Sequence, residues 1–331
     1  MTAVTTGRSL ARPWSRIWAG RNRYLTGAVC LAICVFMLLP IVLSVLTSLK
    51  TTGEASAIPP TYIPHELSLD NYARLWSYQA GLPKYLGNSL ITAVLTILFT
   101  LGLTIPAGYA LARFPIPAKE GIFVFLLLAL IIPYQALLTP IFLMFASLPV
   151  KLTNTLIGLA ILHTAIQLPF SLYIMRNSFE AVPRELEEAA LTDGGSSFQI
   201  LRSIYIPAVV PAIVTVTLFA FVTSWNEFLG ALVLLSRAST FTLPLILATA
   251  RSETSLGGTD WGMLQAGITI AMIPCIANSR RCRVRANITN GTIRRARPMP
   301  TCTARRKACT IFCAPIIITR ARTGKITSHI R

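Results

Sequence analysis

The sequence predicts an all-α polytopic membrane protein, and three observations support this prediction. Hydrophobic residues make up 53% of the 331 residues and charged residues only 13%, whereas an average soluble domain is about 25% charged. The apolar residues form runs long enough to cross a bilayer as helices, which takes about 20 residues. The Lys and Arg residues between these runs are unevenly distributed, as expected for alternating sides of a membrane.

Five apolar segments meet the length requirement and a sixth does not. The segments are residues 24–49, 86–111, 121–145, 156–175, 208–235 and 263–276. A helix is expected for each, because backbone polar groups in the hydrocarbon core must be bonded within the protein. The sixth segment has 14 residues and would reach about 21 Å, less than the core thickness of about 30 Å. The sixth helix is therefore in doubt.

The first segment follows a stretch that is rich in arginine. The arginines are Arg8, Arg12, Arg16, Arg21 and Arg23. A secretory signal has a similar pattern, and Ala55-Ser56-Ala57 resembles a signal-peptidase site. The apolar run is 26 residues long, whereas the core of a signal peptide has about 7 to 15. We therefore expect an uncleaved first transmembrane helix.

The orientation follows from the positive charges in the connections. With residues 1–23 in the cytoplasm, the inner connections hold ten Lys and Arg residues and the outer connections hold six. Cytoplasmic connections carry the excess of such residues. The N-terminal segment and the connection 176–207, between the fourth and fifth segments, are therefore predicted to be cytoplasmic.

Residues 277–331 differ in composition from the rest of the chain. They contribute +14 of the formal net charge of +18 and contain no Asp or Glu. One interpretation is translation in another reading frame, prompted by the abrupt change after Ile276. The other is a genuine basic extension that binds anionic lipid. The seven cysteines form no CxxC pair, so we expect neither a disulfide framework nor a metal site.

The connection 176–207 reads as two short helices separated by a sharp turn. Pro183 suits a first helical position, and three acidic residues follow it near the positive end of the helix. Asp193-Gly194-Gly195 is a helix stop, because glycine adopts the left-handed conformation of a C-terminal cap. Ser196 or Ser197 is expected to cap the next helix, which should end at or before Pro207.

The spacing within this connection resembles the EAA loop of binding-protein-dependent ABC permeases. The matching residues are Glu188-Ala189-Ala190, Gly194 after three residues, and Ile204-Tyr205-Ile206-Pro207 after nine more. The sequence departs from the pattern at Ile206, where leucine is more usual. We call residues 176–207 the EAA-like loop.

The resemblance implies that this loop contains a coupling helix that docks in a cleft of an ATPase subunit. Glu188 and Asp193 are the candidates for surface contacts with the ATPase. Ala189, Ala190 and Gly194 would allow close approach, and Ile204 and Pro207 complete the motif.

Further stretches resemble the maltose-type carbohydrate permeases. They are Asn88-Ser89-Leu90, the run Ala107-Gly108-Tyr109-Ala110-Leu111-Ala112-Arg113-Phe114, Trp225-Asn226-Glu227-Phe228, Thr242-Leu243-Pro244-Leu245 and Trp261-Gly262. The resemblance runs from about residue 23 to residue 276 and fails in the tail. It implies a six-helix type I ABC importer transmembrane domain over residues 24–276, in the bacterial plasma membrane.

The same resemblance implies the partners. They are an ABC ATPase dimer, a second permease subunit, an extracytoplasmic solute-binding protein, a carbohydrate substrate and membrane lipid. The chain has no G-x-x-x-x-G-K-[ST] loop, since Gly324-Lys325 is followed by Ile326. ATP hydrolysis is therefore expected in a separate subunit, with no catalytic role and no cofactor for this chain.

The sequence disfavours two other classes of function. A membrane-embedded enzyme is disfavoured, because His65, His163 and His329 fall outside, within and beyond the predicted membrane region. A membrane-anchored nucleic-acid binder is disfavoured, because the basic tail has no recognisable fold and no aromatic interleaving beyond Phe312. Within transport, permeases for glycerol phosphates, peptides or polyamines stay open as alternatives to a sugar permease.

Four polar residues in the predicted membrane helices are candidates for the substrate path. They are Gln135, His163, Gln167 and Glu227. Ionisable groups inside a membrane are costly and mark function by default. His163 could donate a hydrogen bond to substrate or to a neighbouring helix, and Glu227 is expected to be wetted near the outer end of the fifth helix. The two glutamines could bond sugar hydroxyls or join helices.

Overall fold

The computed structural model describes residues 14–57, 59–250 and 260–275, with side chains from residue 24 onward and up to residue 249 in the middle range. The regular elements in these ranges are helices, and the predicted all-α architecture is confirmed. The main helices are α1 (Trp14–Ser48), α2 (Thr52–Ala55), α3 (Asp70–Ser77), α4 (Leu82–Arg113), α5 (Lys119–Leu128), α6 (Tyr134–Ser147), α7 (Leu156–Glu180), α8 (Glu185–Thr192), α9 (Ser197–Ile200), α10 (Ile206–Ala208), α11 (Val210–Asn226), α12 (Leu229–Leu234), α13 (Leu243–Ala250) and α14 (Trp261–Cys275). The predictions for residues 1–13 and 277–331 lie outside the described residues.

Three helices in the described ranges are long and apolar enough to cross a membrane. They are the part of α1 from Tyr24 to Ser48, α4 and α7. The helices α4 and α7 contain the predicted segments 86–111 and 156–175 without a break. The helix α1 contains the first predicted segment except Leu49, because it ends at Ser48. The apolar helices α6 and α14 are shorter, and α11 belongs to a bent pair that would make a fourth span.

The predicted segment 121–145 is not one helix. It is divided into α5, which ends at Leu128, and α6, which begins at Tyr134. Pro133 precedes α6 with an extended backbone, at φ −65° and ψ 115°. Proline has no N–H and disfavours helical geometry in the residue before it, so the break falls where the sequence places Pro133.

The predicted segment 208–235 is also divided. It breaks after Asn226, and the short helix α12 follows from Leu229 to Leu234. Glu227 has an extended backbone at the break, and its carboxylate accepts hydrogen bonds from the N–H groups of Gly230 and Ala231 at 2.7 and 3.2 Å. The Glu227 side chain thereby binds the first turn of α12 at the point where α11 has ended. The average hydropathy of a segment does not detect such an interaction.

The pairing of α4 with α7 forms the centre of the fold, and α11 packs against both helices. Every fourth residue along one face of α4 is small and buried. These residues are Thr92, Thr96, Thr100, Thr104, Gly108 and Ala112. At Gly108 a Cβ atom would lie 3.0 Å from the Cβ of Met175 on α7. Small residues at this spacing let two helix backbones approach closely. This face of α4 packs against α7 at Gly108 and against α11 at Thr96, which donates to Ser224 at 3.3 Å. We call it the α4–α7 seam.

The elements at the Leu82 end of α4 are tied together by polar contacts. Asn71 on α3 donates to the carbonyls of Ser48 and Lys50, at 3.0 and 2.7 Å. Arg74 forms an ion pair of 2.6 Å with Asp260 at the start of α14. These contacts fix the end of α1 and the start of α14 against α3, although both are distant from it in sequence.

Candidate functional site

The EAA-like loop begins after α7 and contains the acidic helix α8. The helix ends in a Schellman motif, in which the N–H of Gly195 donates to the carbonyl of Ala190 at 2.9 Å and that of Gly194 to Leu191 at 3.0 Å. Gly194 has a φ of +82°, a conformation that glycine adopts without steric cost. The predicted glycine turn after Asp193 is confirmed.

Ser196 caps the next helix. Its hydroxyl accepts from the backbone N–H of Gln199 and the Gln199 side chain accepts from the N–H of Ser196, which completes a capping box. The prediction that this helix ends at or before Pro207 is wrong. A π-helical turn, Leu201–Tyr205, continues into α10, and the chain bends by 76° only at Val209. Pro207 lies directly after the π-helical turn, within the helical stretch that ends at Ala208.

The surface of α8 presents both acidic and apolar side chains. Glu188, Ala189 and Asp193 are exposed. Leu186 and Leu191 are 49% and 53% exposed, and Phe198 on α9 is 70% exposed. Of the other motif residues, Ala190 and Ile204 are half-buried and Pro207 is exposed. The candidate ATPase contacts Glu188 and Asp193 therefore lie on the same short stretch as three exposed large apolar side chains.

The base of the loop is held by Arg113, the last residue of α4. Its guanidinium donates to the carbonyl of Phe179 at 2.6 Å and to that of Val182. The same group lies 3.8 Å from a carboxylate oxygen of Glu187 on α8 and 4.9 Å from the centre of the Tyr205 ring. We call these five residues the Arg113 cluster.

Tyr205 joins the cluster from the far side of the loop. Its hydroxyl donates to the Glu187 carboxylate at 2.6 Å, and the residue is fully buried. Its ring centre lies 5.1 Å from that of Tyr109 and 6.0 Å from that of Phe179. The EAA-like loop is thereby packed against both α4 and α7.

A second arginine fixes the neighbouring helix ends. Arg176 on α7 donates to the carboxylates of Glu120 and of Glu180, the latter at 2.8 Å, and lies 4.1 Å from the centre of the Phe123 ring. The hydrogen bond from Arg176 lowers the pKa of the Glu120 carboxyl below its ordinary value. The local sequence of neither arginine identifies it as a connecting residue. The available signal is that Arg113 and Arg176 each lie where an apolar segment ends.

Two of the candidate path residues are paired with each other. His163 on α7 bonds through Nε2 to Glu227 at 3.1 Å and through Nδ1 to Ser224 on α11 at 2.9 Å. The side chains of His163 and Glu227 are 1% and 5% exposed. Tyr134 also donates to Glu227, at 3.1 Å. The expectation that Glu227 is wetted is wrong, because its carboxylate is buried and bonded on both oxygens. Of the two roles expected for His163, the structure shows the hydrogen bond to a neighbouring helix, through Ser224 on α11.

The two glutamines are not part of this cluster. Gln167 is buried on α7 and accepts a hydrogen bond from Thr223 of α11 at 3.2 Å. Its amide nitrogen has no hydrogen-bond partner among the described residues. Gln135 is exposed on α6. The four candidates therefore divide into a mutually bonded pair, one half-satisfied buried amide and one exposed amide.

Known proteins resemble this chain over most of its length. It is 27% identical over 255 residues to the diacetylchitobiose uptake system permease protein DasC of Streptomyces coelicolor, covering 77% of this chain and 90% of that protein. It is 30% identical over 275 residues to the sulfoquinovosyl glycerol transport system permease protein SmoH of Agrobacterium fabrum, covering 83% and 92%.

A solved structure shares the fold. It is the crystal structure of a bacterial ABC transporter involved in the import of the acidic polysaccharide alginate, which matches with a TM-score of 0.69 and 22% identity over 83% of this chain and 99% of that one. Residues 102–279 match the family model described as binding-protein-dependent transport system inner membrane component. That match includes α7, the EAA-like loop and α11, and the chain is therefore a member of the family of binding-protein-dependent transport system inner membrane components.

Proposed function

We propose that this chain is the permease subunit of an ATP-driven carbohydrate importer in the bacterial plasma membrane. It moves a solute delivered by an extracytoplasmic binding protein, together with a second permease subunit. The names of the relatives support this, since they are uptake permeases for diacetylchitobiose and for a sulfoquinovosyl glycerol. The solved relative is described as an importer of alginate, which is also a carbohydrate.

The observation that carries the proposal is the surface of α8. Leu186 and Leu191 on α8 and Phe198 on α9 are exposed on a loop whose turns are hydrogen-bonded and whose base is held by the Arg113 cluster. Large exposed apolar side chains grouped in this way mark a protein interaction site. We assign this surface to the cleft of a separate ABC ATPase, which supplies the nucleotide site that this sequence lacks.

The acidic residues of α8 define the chemistry of that cleft. Glu188 and Asp193 flank the apolar side chains and are exposed. The complementary cleft is apolar at its base with basic groups at its rim, because charge complementarity favours docking in one orientation. The EAA-like loop then lies on the cytoplasmic side, as the distribution of Lys and Arg predicts.

Alternating access follows from the attachment of the loop to the helices. A nucleotide state changes the population of two conformations only if it binds them with different affinities. Closure of the ATPase dimer on ATP would draw the EAA-like loops of two permease subunits together. In this proposal Gln135 and the amide nitrogen of Gln167 are the path candidates that retain hydrogen-bonding capacity for a solute.

The assembly test changes Gly194. In the complete transporter, co-expressed with its second permease and ATPase, we expect Gly194→Val to abolish retention of the ATPase, because valine disfavours a φ of +82°. Gly194→Asn is the matched comparison, since asparagine tolerates this conformation. Retention with Asn but not Val assigns the effect to backbone conformation. Full retention with Val would contradict the proposed docking role.

The substrate test measures ATP hydrolysis in reconstituted vesicles. Candidate binding proteins are added outside, each loaded with its own ligand, and sugar-loaded proteins should stimulate hydrolysis. Stimulation only by proteins loaded with glycerol phosphates, peptides or polyamines would overturn the carbohydrate assignment and leave the importer assignment intact.

A further inference from the structure

We propose that Arg113 is the positioning residue that makes the EAA-like loop move as one body with α4 and α7. The inference rests on the proposed function, because it concerns how movement of the docked loop reaches the membrane helices. The relevant movement is that of α8, which carries the docking surface.

The guanidinium of Arg113 lies between the ends of two helices. Arg113 ends α4, and its two hydrogen bonds go to the carbonyl of Phe179, in the last turn of α7, and to that of Val182, just after the cap of α7. The last carbonyls of a helix have no partner within that helix and carry the negative end of its dipole. A buried cation at this position therefore binds the ends of two different helices together.

The Arg113 guanidinium is also linked to α8. Glu187 lies on α8 and is the only acidic group among the described residues within ion-pair distance of Arg113, at 3.8 Å. The Arg113 side chain is 3% exposed, and a buried charge is strongly unfavourable without a partner. Separation of α8 from the helix pair would leave the guanidinium without its counter-charge, so this movement is disfavoured.

Tyr205 contacts both members of the Arg113–Glu187 pair. Its hydroxyl donates to Glu187 at 2.6 Å, while its ring packs against Arg113, Tyr109 and Phe179. Tyr205 precedes the bend at Val209 that leads into α11. The Arg113 cluster therefore joins α4, α7, α8 and the start of α11 through a single buried charge and its partners.

The experiment uses the complete transporter, reconstituted in liposomes with its binding protein and sugar. It compares Arg113→Gln, Glu187→Gln and Tyr205→Phe, and measures the amount of sugar transported for each ATP hydrolysed. We expect the ATPase to stay bound while this ratio falls about tenfold in Arg113→Gln, a factor that corresponds to about 1.4 kcal/mol. Glu187→Gln should lower the ratio as well, and Tyr205→Phe should have the smallest effect.

The matched control is Arg202→Gln. Arg202 is exposed in the same loop and forms no ion pair in the part of the chain that the structure describes, so its removal should leave the ratio unchanged. Arg113→Lys keeps the charge and should restore part of the ratio. A purely structural role would lower the amount of assembled complex and leave the ratio of the remaining complex normal.

The outcomes separate the inference from the proposed function. If the unmodified chain does not retain an ATPase, the proposed function fails and the inference with it. If the complex assembles and Arg113→Gln transports with a normal ratio, only the inference is overturned. If Arg113→Gln does not fold, Glu187→Gln combined with Tyr205→Phe decides, because both leave the bonds from Arg113 to α7 in place, and a normal ratio in that variant overturns the inference.

Discussion

The α4–α7 seam and the surface of α8 have opposite polarity patterns. Along the seam, Thr92, Thr96, Thr100 and Thr104 are buried between helices, whereas Leu186 and Leu191 are exposed on α8. In a bilayer, polar side chains find partners only inside the protein, so they face inward. Outside the bilayer, exposed leucines are stabilised only when another surface covers them. The seam is covered by other helices of this chain, whereas the described residues leave Leu186 and Leu191 uncovered.

The largest expected effect comes from disrupting the buried polar cluster beside the seam. Glu227→Ala removes the partner of His163 and of two backbone N–H groups. Breaking a buried pair by removing one member costs about 3–5 kcal/mol. Thermal unfolding in detergent, followed by fluorescence, should therefore show a much lower midpoint.

Gln135→Ala is the control for that variant. Gln135 is exposed, and substitutions at exposed sites usually stay within about 0.5 kcal/mol. Equal midpoints for Glu227→Ala and the unmodified protein would show that the cluster does not stabilise the fold.

A smaller effect is expected from enlarging a residue in the seam. In Gly108→Val the new side chain would meet Met175 and the backbone of Arg176, at 3.0 and 3.2 Å from the Cβ position. Overpacking of this kind costs about 1–3 kcal/mol. Gly102→Val, on the same helix with no atom within 4 Å of its Cβ position, should leave the unfolding midpoint almost unchanged. A similar midpoint for both variants would argue against close packing at Gly108.

A change on the α8 surface should affect association and not stability. Leu191→Ser removes an apolar group that docking would bury, and burial of a leucine contributes about 1.5–3 kcal/mol. We expect the affinity for the ATPase to fall about tenfold or more, with an unchanged unfolding midpoint for the isolated chain.

Leu67→Ser is the control for association. Leu67 is 76% exposed but lies between α2 and α3, away from α8 in sequence. Binding measured by titration of detergent-solubilised chain with ATPase should be unaffected by this change. Equal loss in both variants would show that the effect is not specific to α8.

The smallest effect is expected at Glu120, whose carboxylate is largely exposed. Its pKa is lowered by the bond from Arg176. A lowered folded-state pKa adds stability above the unfolded-state pKa, and this contribution is lost as the pH falls through the folded-state pKa. The unfolding midpoint of Glu120→Gln should lie slightly below that of the unmodified chain at neutral pH and match it in acid. A constant difference across this range would exclude the ion pair as its cause.

Local signals in the sequence predicted the loop more accurately than they predicted the membrane segments. Gly194 and Ser196 act through bonds to residues within a few positions, so the turn and the cap could be read from their spacing. The complete breaks at Pro133 and Glu227 do not follow from the hydropathy of the apolar runs that contain them. Pro133 lacks a backbone N–H donor, and Glu227 binds the first turn of α12. Neither effect is visible in the average hydropathy of the apolar run.

Contacts between distant residues could not be predicted from the sequence. Arg113 belongs to a stretch that resembles the maltose-type permeases, but this resemblance does not indicate its contacts. Its partners Phe179 and Glu187 lie 66 and 74 positions away. His163 and Glu227 were identified separately as unusual membrane residues. Their pairing depends on how α7 packs against α11, which neither residue's local sequence indicates.

The bend at Val209 has a mechanical consequence. The bend is hydrogen-bonded on both sides, by the N–H of Val209 to Tyr205 and by the N–H of Ile213 to Val209, at 3.0 and 3.1 Å. A rotation of the segment before the bend is therefore transferred to α11 as a tilt. Since α11 has 17 residues and is about 25 Å long, a tilt of about 10° would displace its far end by about 4 Å. A small rotation of the segment before the bend would thus become a sideways movement of the far end of α11.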